Sequence, residues 1–166
     1  MANFVPEGTG YVSGPLGAGQ IATNQPNVIN SLPVTSPLGF GVAVKQTGGV
    51  ASLATAAADV FGISLKRNYL QSFDTPDVEQ WAAGQDVPVM RMGSVVVQIS
   101  SDVKSGDLAT IDANGLFKTA ATGDAVIGQF TDDGSFVADG SSVSTAPIQI
   151  NLGGPQSTAP SSDASK

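Results

Sequence analysis

The chain has 166 residues, neither Cys nor His, and 14 acidic against seven basic residues, for a formal charge of −7. The missing residue types exclude disulfides, thiolate nucleophiles, imidazole bases, Ser-His-Asp triads and the usual zinc and haem ligands. Apart from Lys66-Arg67 the bases stand singly (Lys45, Arg91, Lys104, Lys118, Lys166), leaving no strip to neutralise phosphates, so neither nucleic acid nor a membrane is expected as a partner.

Leu, Ile, Val and Phe supply 42 residues, 18 of them Val, beside 20 Gly and 10 Pro. That is enough apolar material for one packed body, and the stiff β-branched side chains with frequent turn formers favour pleated strands over helices. An all-β domain is therefore expected, as a small antiparallel barrel or two-sheet sandwich, jelly-roll-like or β-tulip-like. The N-terminal "MANFVPEGTGYV" has no basic start or apolar run, and no stretch reaches the roughly 20 apolar residues that span a bilayer, so synthesis in the cytoplasm with no need of an oxidising compartment is expected.

Residues 1–37 carry five Pro and five Gly, with apolar residues (Phe4, Val5, Tyr11, Leu16, Ile21, Ile29) at no regular spacing. Such a segment cannot build its own core. It reads either as a flexible leader or as an extended arm docking on a neighbouring subunit, and the arm is the reading adopted. Residues 38–152 read as the β-domain. "FGVAVKQ" (40–46) alternates Phe40, Val42 and Val44 on one side, and "FGISLKR" (61–67) does the same with Phe61, Ile63 and Leu65, which predicts one buried and one exposed face. The Ala-rich run between them leaves room for a one- or two-turn insert at most.

"DTPDVEQWAAG" predicts a short helix near 76–83: Thr75 as cap, Pro76 in the first turn, Asp77 and Glu79 at its positive end, Gly84 as the stop and Trp81 as the packing anchor. "GQDVPVMRMG" (84–93) and "GDLATIDANG" (106–115) share their Gly and Asp placement and each precedes a strand, which predicts two successive hairpins. "DAVIGQF" (124–130) and "APIQINL" (146–152) add strands with Val126, Phe130, Ile148, Ile150 and Leu152 inward, and Pro88 and Pro147 belong at strand starts or edges. About eight short strands result. Residues 153–166 form a Gly/Pro/Ser-rich tail.

The acidic turns raise the question of metal or catalytic chemistry. A calcium loop beginning at Asp112 needs oxygen ligands at positions 1, 3 and 5 and a Glu at 12, but position 5 is Leu116 and no Glu follows. Asn114-Gly115 instead matches a two-residue type I′ hairpin, with Asp112 accepting backbone N–H groups at the corner. "TGD" (122–124) and "DDGS" (132–135) read the same way. Asp74, Asp77, Glu79 and Asp86 form the one dense carboxylate cluster, and a helix start, where the dipole stabilises acids, accounts for it in preference to a glycosidase pair. "GAG" (17–19) lacks the context of a phosphate loop. Lys66-Arg67 ends a strand, either as a solvated edge or as a contact with another chain.

Taken in order, "FGISLKR", "WAAGQDVPVMRMGSVVVQI", "VKSGDLATIDANGLFKTAATGDAVIGQFTDDGS" and "APIQINL" resemble the cement or decoration proteins of tailed-bacteriophage heads, over about residues 38–152. The resemblance implies a small all-β subunit on the outer surface of the virion. It would assemble as a homotrimer or dimer and bridge neighbouring major capsid proteins, without catalysis, metal or cofactor. Phe4, Val5, Tyr11, Leu16, Lys66 and Arg67 are the expected contacts with other chains. The rival reading is a tail or head-fibre module that binds a receptor or carbohydrate, against which the single Trp and two Tyr count.

Overall fold

In a computed structural model of the protein, the described residues are 16–66, 80–138 and 143–152. Eleven strands run through them: β1 (Val28–Pro33), β2 (Leu38–Gly39), β3 (Ala43–Thr47), β4 (Val50–Leu53), β5 (Gly62–Ser64), β6 (Gln80–Trp81), β7 (Asp86–Gln98), β8 (Leu108–Ile111), β9 (Phe117–Thr119), β10 (Gly128–Phe130) and β11 (Thr145–Asn151). The main sheet has the order β4-β3-β5-β7-β11-β10-β8-β9, with β1 also paired to β7, and it curls strongly into an antiparallel half-barrel. β2 and β6 form a second, two-stranded sheet. The all-β expectation holds, with a curled, incompletely closed barrel as its form.

β7 is the organising element. Its Val-rich sequence suits an extended buried strand, and it pairs with β1, β5 and β11. Val95, Val97 and Met90 face one apolar cluster with Phe117, Phe130, Ile148 and Ile150; Val87 and Val89 face another with Trp81, Phe40, Val42 and Val44. Adjacent residues such as Ala43 and Val44 are both fully buried, on opposite faces. The predicted period-two grouping of Phe40, Val42 and Val44 is present. The exposed opposite face is not, because each face of the central sheet carries its own core.

β7 also corrects the first of the two predicted hairpins: residues 86–98 form one continuous strand through Gly93. The chain entering the sheet explains that glycine. Lys66 N–H donates to Gly19 O, and Ile21 bridges Val95 opposite its partner Ile148, so residues 19–22 lie on the β5 side of β7. Met90 pairs with both Ile63 and Ile29, so β1 lies on the other side. The intervening residues cross β7 at Gly93, where a Cβ would stand 3.0 Å from that of Asn27 and where φ is +134°. Only glycine accommodates both.

The helix expected over 76–83 falls partly on residues 67–79, outside the described residues; its described end is strand β6 and a turn, with Trp81 paired to Leu38. Trp81 is still an anchor. Its Nε1–H donates to Leu65 O at 2.9 Å and its ring meets Phe40 edge-on at 5.9 Å. The Ala-rich run gives β4 and one 3-10 turn at Ala57–Asp59.

The β8–β9 hairpin forms as expected, with a different turn. Gly115 alone has positive φ (+72°), and its N–H returns to Asp112 O, so Ala113 and Asn114 make a type I turn followed by a glycine bulge. The two-residue loop with both φ positive is Gly48-Gly49, between β3 and β4. Ile127 is the buried residue before β10, with Val126 only half-buried. Pro88 and Pro147 lie inside β7 and β11, beside the points where β5 and β10 stop; their carbonyls still accept from Leu65 and Thr131 N–H.

Candidate interaction surface

The carboxylates from Asp102 to Asp133 accept hydrogen bonds from backbone N–H groups of turns and loops. Asp112 Oδ1 accepts from Asn114 N–H at 2.8 Å and Leu116 N–H at 3.0 Å; Asp124 Oδ2 accepts from Ala121 N–H at 2.9 Å. Asp107 Oδ2 accepts from Lys104 N–H and the Thr119 hydroxyl, and Asp102 Oδ1 from Phe136 N–H. The Ser105 N–H and the Lys104 ammonium, 3.2 Å away, hold the Asp133 carboxyl below its ordinary pKa. No group of three or more Asp or Glu able to hold a metal ion occurs among the described residues. Asp86 is exposed at the start of β7, while Asp74, Asp77 and Glu79 lie outside the described residues.

The surface without such turns is a depression of about 260 Å³ whose lining includes Leu16, Ala18, Phe40, Lys66, Gln98 and Val143. Its backbone is drawn together by close approaches. A Cβ on Gly19 would stand 2.6 Å from Lys66 N, and one on Gly41 2.7 Å from Gly19 N, and both glycines have positive φ. Gly19 N–H donates to Val96 O and Gly41 N–H to Ser64 O, both at 2.8 Å. Ser64 Oγ donates to Gly39 O at 2.7 Å, and Gln98 Nε2 donates to Phe40 O at 2.8 Å. These bonds make a fixed floor, whereas the apolar rim is open: Leu16 is 44% and Val143 46% exposed. Beside Val143, the Ser144 hydroxyl accepts from Val137 N–H at 2.8 Å, which keeps Val137 and its neighbour Phe136, 42% and 40% exposed, near the same margin.

Of the predicted contact residues, Leu16 and Lys66 thus meet in one depression. Phe4, Val5, Tyr11 and Arg67 lie outside the described residues. Sequence reasoning missed Phe136, Val137 and Val143. Their only sequence mark is that the adjacent pair Phe136-Val137 and the lone Val143 stand among the turn formers of "GSFVADGSSVS", with no period.

The model of the phage structural cement protein family (E217 gp24/Pam3 gp6) matches residues 8–151. The chain belongs to this family. It is a structural protein of phages, a cement protein that binds capsid proteins and has its place in the virion capsid. Among solved structures the fold is similar to the crystal structure of the head fiber gp8.5 N base in bacteriophage phi29, with a TM-score of 0.53 at 14% identity over 76% of this chain and 95% of that one. No curated protein matches the chain.

Proposed function

We propose that the protein decorates the outer surface of a phage head as a homotrimer or dimer and bridges neighbouring major capsid proteins, with no catalytic role. The observation that carries this reading is the open apolar rim of Leu16 and Val143 on a floor fixed by backbone hydrogen bonds, with exposed Val137 tied to the neighbouring Ser144. Exposed apolar residues grouped on a rigid margin fit a protein partner better than water. Lys66 in the depression supplies a cation on an otherwise acidic chain, suited to a carboxylate on the capsid. Many copies, each adding a modest interface, resist outward pressure together.

Residues 1–15 lead into this rim at Leu16, and Phe4, Val5 and Tyr11 extend the contact onto neighbouring chains. Alanine at Phe4, Val5, Tyr11 and Leu16 together is expected to abolish co-sedimentation with purified heads while the chain stays folded by circular dichroism. Retained co-sedimentation would contradict the proposal. The similarity in fold to a head-fibre base favours the rival, a receptor- or carbohydrate-binding module. Against it, the single Trp is buried beneath Phe40 and offers no platform to a sugar. A glycan array that binds the protein, with no binding to heads, would select the rival.

A further inference from the structure

The corner between β8 and β9 holds the chain's single Asn-Gly pair, Asn114-Gly115. An Asn followed by Gly is prone to cyclise on itself, because glycine has no Cβ to keep its backbone nitrogen away from the neighbouring carboxamide carbon. The Asn114 side chain is exposed, and no hydrogen bond holds its carboxamide among the described residues. Gly115 is buried, and one residue governs its surroundings. Three successive N–H groups donate to Asp112: that of Asn114 to Oδ1 at 2.8 Å, that of Gly115 to the backbone O at 3.1 Å and that of Leu116 to Oδ1 at 3.0 Å. Asp112 N–H donates in turn to Leu116 O at 2.9 Å.

Ring closure requires the Gly115 nitrogen to lose its proton and turn toward Asn114 Cγ. In the closed corner that proton is engaged with Asp112 O, and the carboxylate beside it disfavours both an approaching hydroxide and negative charge on the nitrogen. The corner is also fastened to its neighbours. Gly115 O accepts from Ala43 N–H at 3.0 Å, and a Cβ on Gly115 would stand 2.7 Å from Leu53 Cδ1. Freeing the nitrogen therefore means lifting the corner off β3 and β4.

The geometry points to Asn114 as a deamidation site that Asp112 holds in check, and whose conversion unfastens the β8–β9 corner from β3. The Gly115 nitrogen bonds to Asn114 Cγ, the Cγ–Nδ2 bond breaks, and ammonia leaves with the proton from Gly115. Water, the only co-reactant, then opens the cyclic imide at one of its two carbonyls and leaves an aspartyl or isoaspartyl group at position 114. The isoaspartyl form adds one C–C bond of about 1.5 Å to the main chain. A hydrogen bond of 3.0 Å between Ala43 and Gly115 does not survive a displacement of that size. The inference concerns the isolated protein and does not depend on capsid binding.

Trypsin cuts after Lys104 and Lys118, and the peptide 105–118 contains no other Asn or Gln, so its mass reports position 114 alone. The full-length protein is held in mildly alkaline buffer, folded or in urea, and this peptide is followed by mass spectrometry. The folded chain is expected to convert at least about tenfold more slowly than the denatured one, because opening comes first. Equal rates would overturn the proposal. Asp112→Ala, with its fold checked by circular dichroism, should convert about threefold faster or more than the folded parent, and at the parent's rate in urea. Asp112→Ser keeps a side-chain acceptor at the corner and should fall between them; it decides the matter if the alanine variant does not fold. Absence of acceleration in the folded variants, or the same acceleration in urea, would remove Asp112 from the role. The isoaspartyl fraction, separated by its added charge, should exchange the Ala43 amide with solvent about threefold faster or more. An unchanged Ala43 amide would show that the corner stays fastened, against the proposal.

Discussion

Val95 and Val97 on β7 are fully buried, while Val137 and Val143 at the rim of the depression are more than two-fifths exposed. The same side chain therefore serves two purposes in this molecule. Inside, it fills a sheet covered on both faces, where its removal leaves a cavity in a packed core. At the rim it lies on irregular chain held by side-chain hydrogen bonds to Ser144 and Asp102, where the fold gains little from it and a partner could gain much. The contrast teaches that stability and capsid attachment should be separable by mutation.

The largest effect is expected inside. Phe130→Ala, at a ring 1% exposed between β8 and β11, should cost about 3–5 kcal/mol in denaturant unfolding; a loss under half of that would mean the core is less tightly packed than described. Next is the crossing point. Gly93→Ala forces a side chain into φ +134° and against Asn27, and should cost about 1–3 kcal/mol, whereas an unchanged midpoint would show that residues 23–27 do not pass over β7.

At the rim, Leu16→Asp with Val143→Asp should leave unfolding within about 0.5 kcal/mol of the parent. The same pair should weaken binding to purified heads at least about tenfold, or 1.4 kcal/mol. Equal binding would erase the distinction between the two regions. The smallest effect concerns Asp133. Its folded-state pKa lies below the unfolded value, so its contribution is present above the unfolded pKa and is lost as pH falls through the folded one. Both it and Lys104 are exposed, so the effect is slight. Asp133→Asn should lower the melting temperature slightly at neutral pH and should match the parent in strong acid; a difference persisting in acid would reject the carboxylate's role.

Local chemistry made part of this fold legible. The alternation through Phe40, Val42 and Val44 marks a buried face because a strand repeats every two residues, and Asp112 to Gly115 marks a corner because its acid can satisfy the turn's own N–H groups. Both are decided within a few residues. Gly93 was misleading because its role is set by Asn27, far away in sequence, and not by a turn at its own position. At Trp81 the Asp, Pro and Glu pattern favours a helix, while contacts with Leu38, Phe40 and Leu65 hold the described end as strand. For the candidate site, Leu16 and Lys66 could each be singled out alone. Their meeting depends on the approach of Gly19 to the backbone of Lys66, which no local pattern announces, and Val143 entered the site only through that tertiary arrangement.

Which end of the molecule meets the capsid is tested most directly by an electron-microscopy map of assembled heads. The expected map places this chain outside the shell between capsomers, with the depression of Leu16, Lys66 and Val143 against major capsid protein. Density absent from the outer surface, or present there with that depression facing solvent, would contradict it.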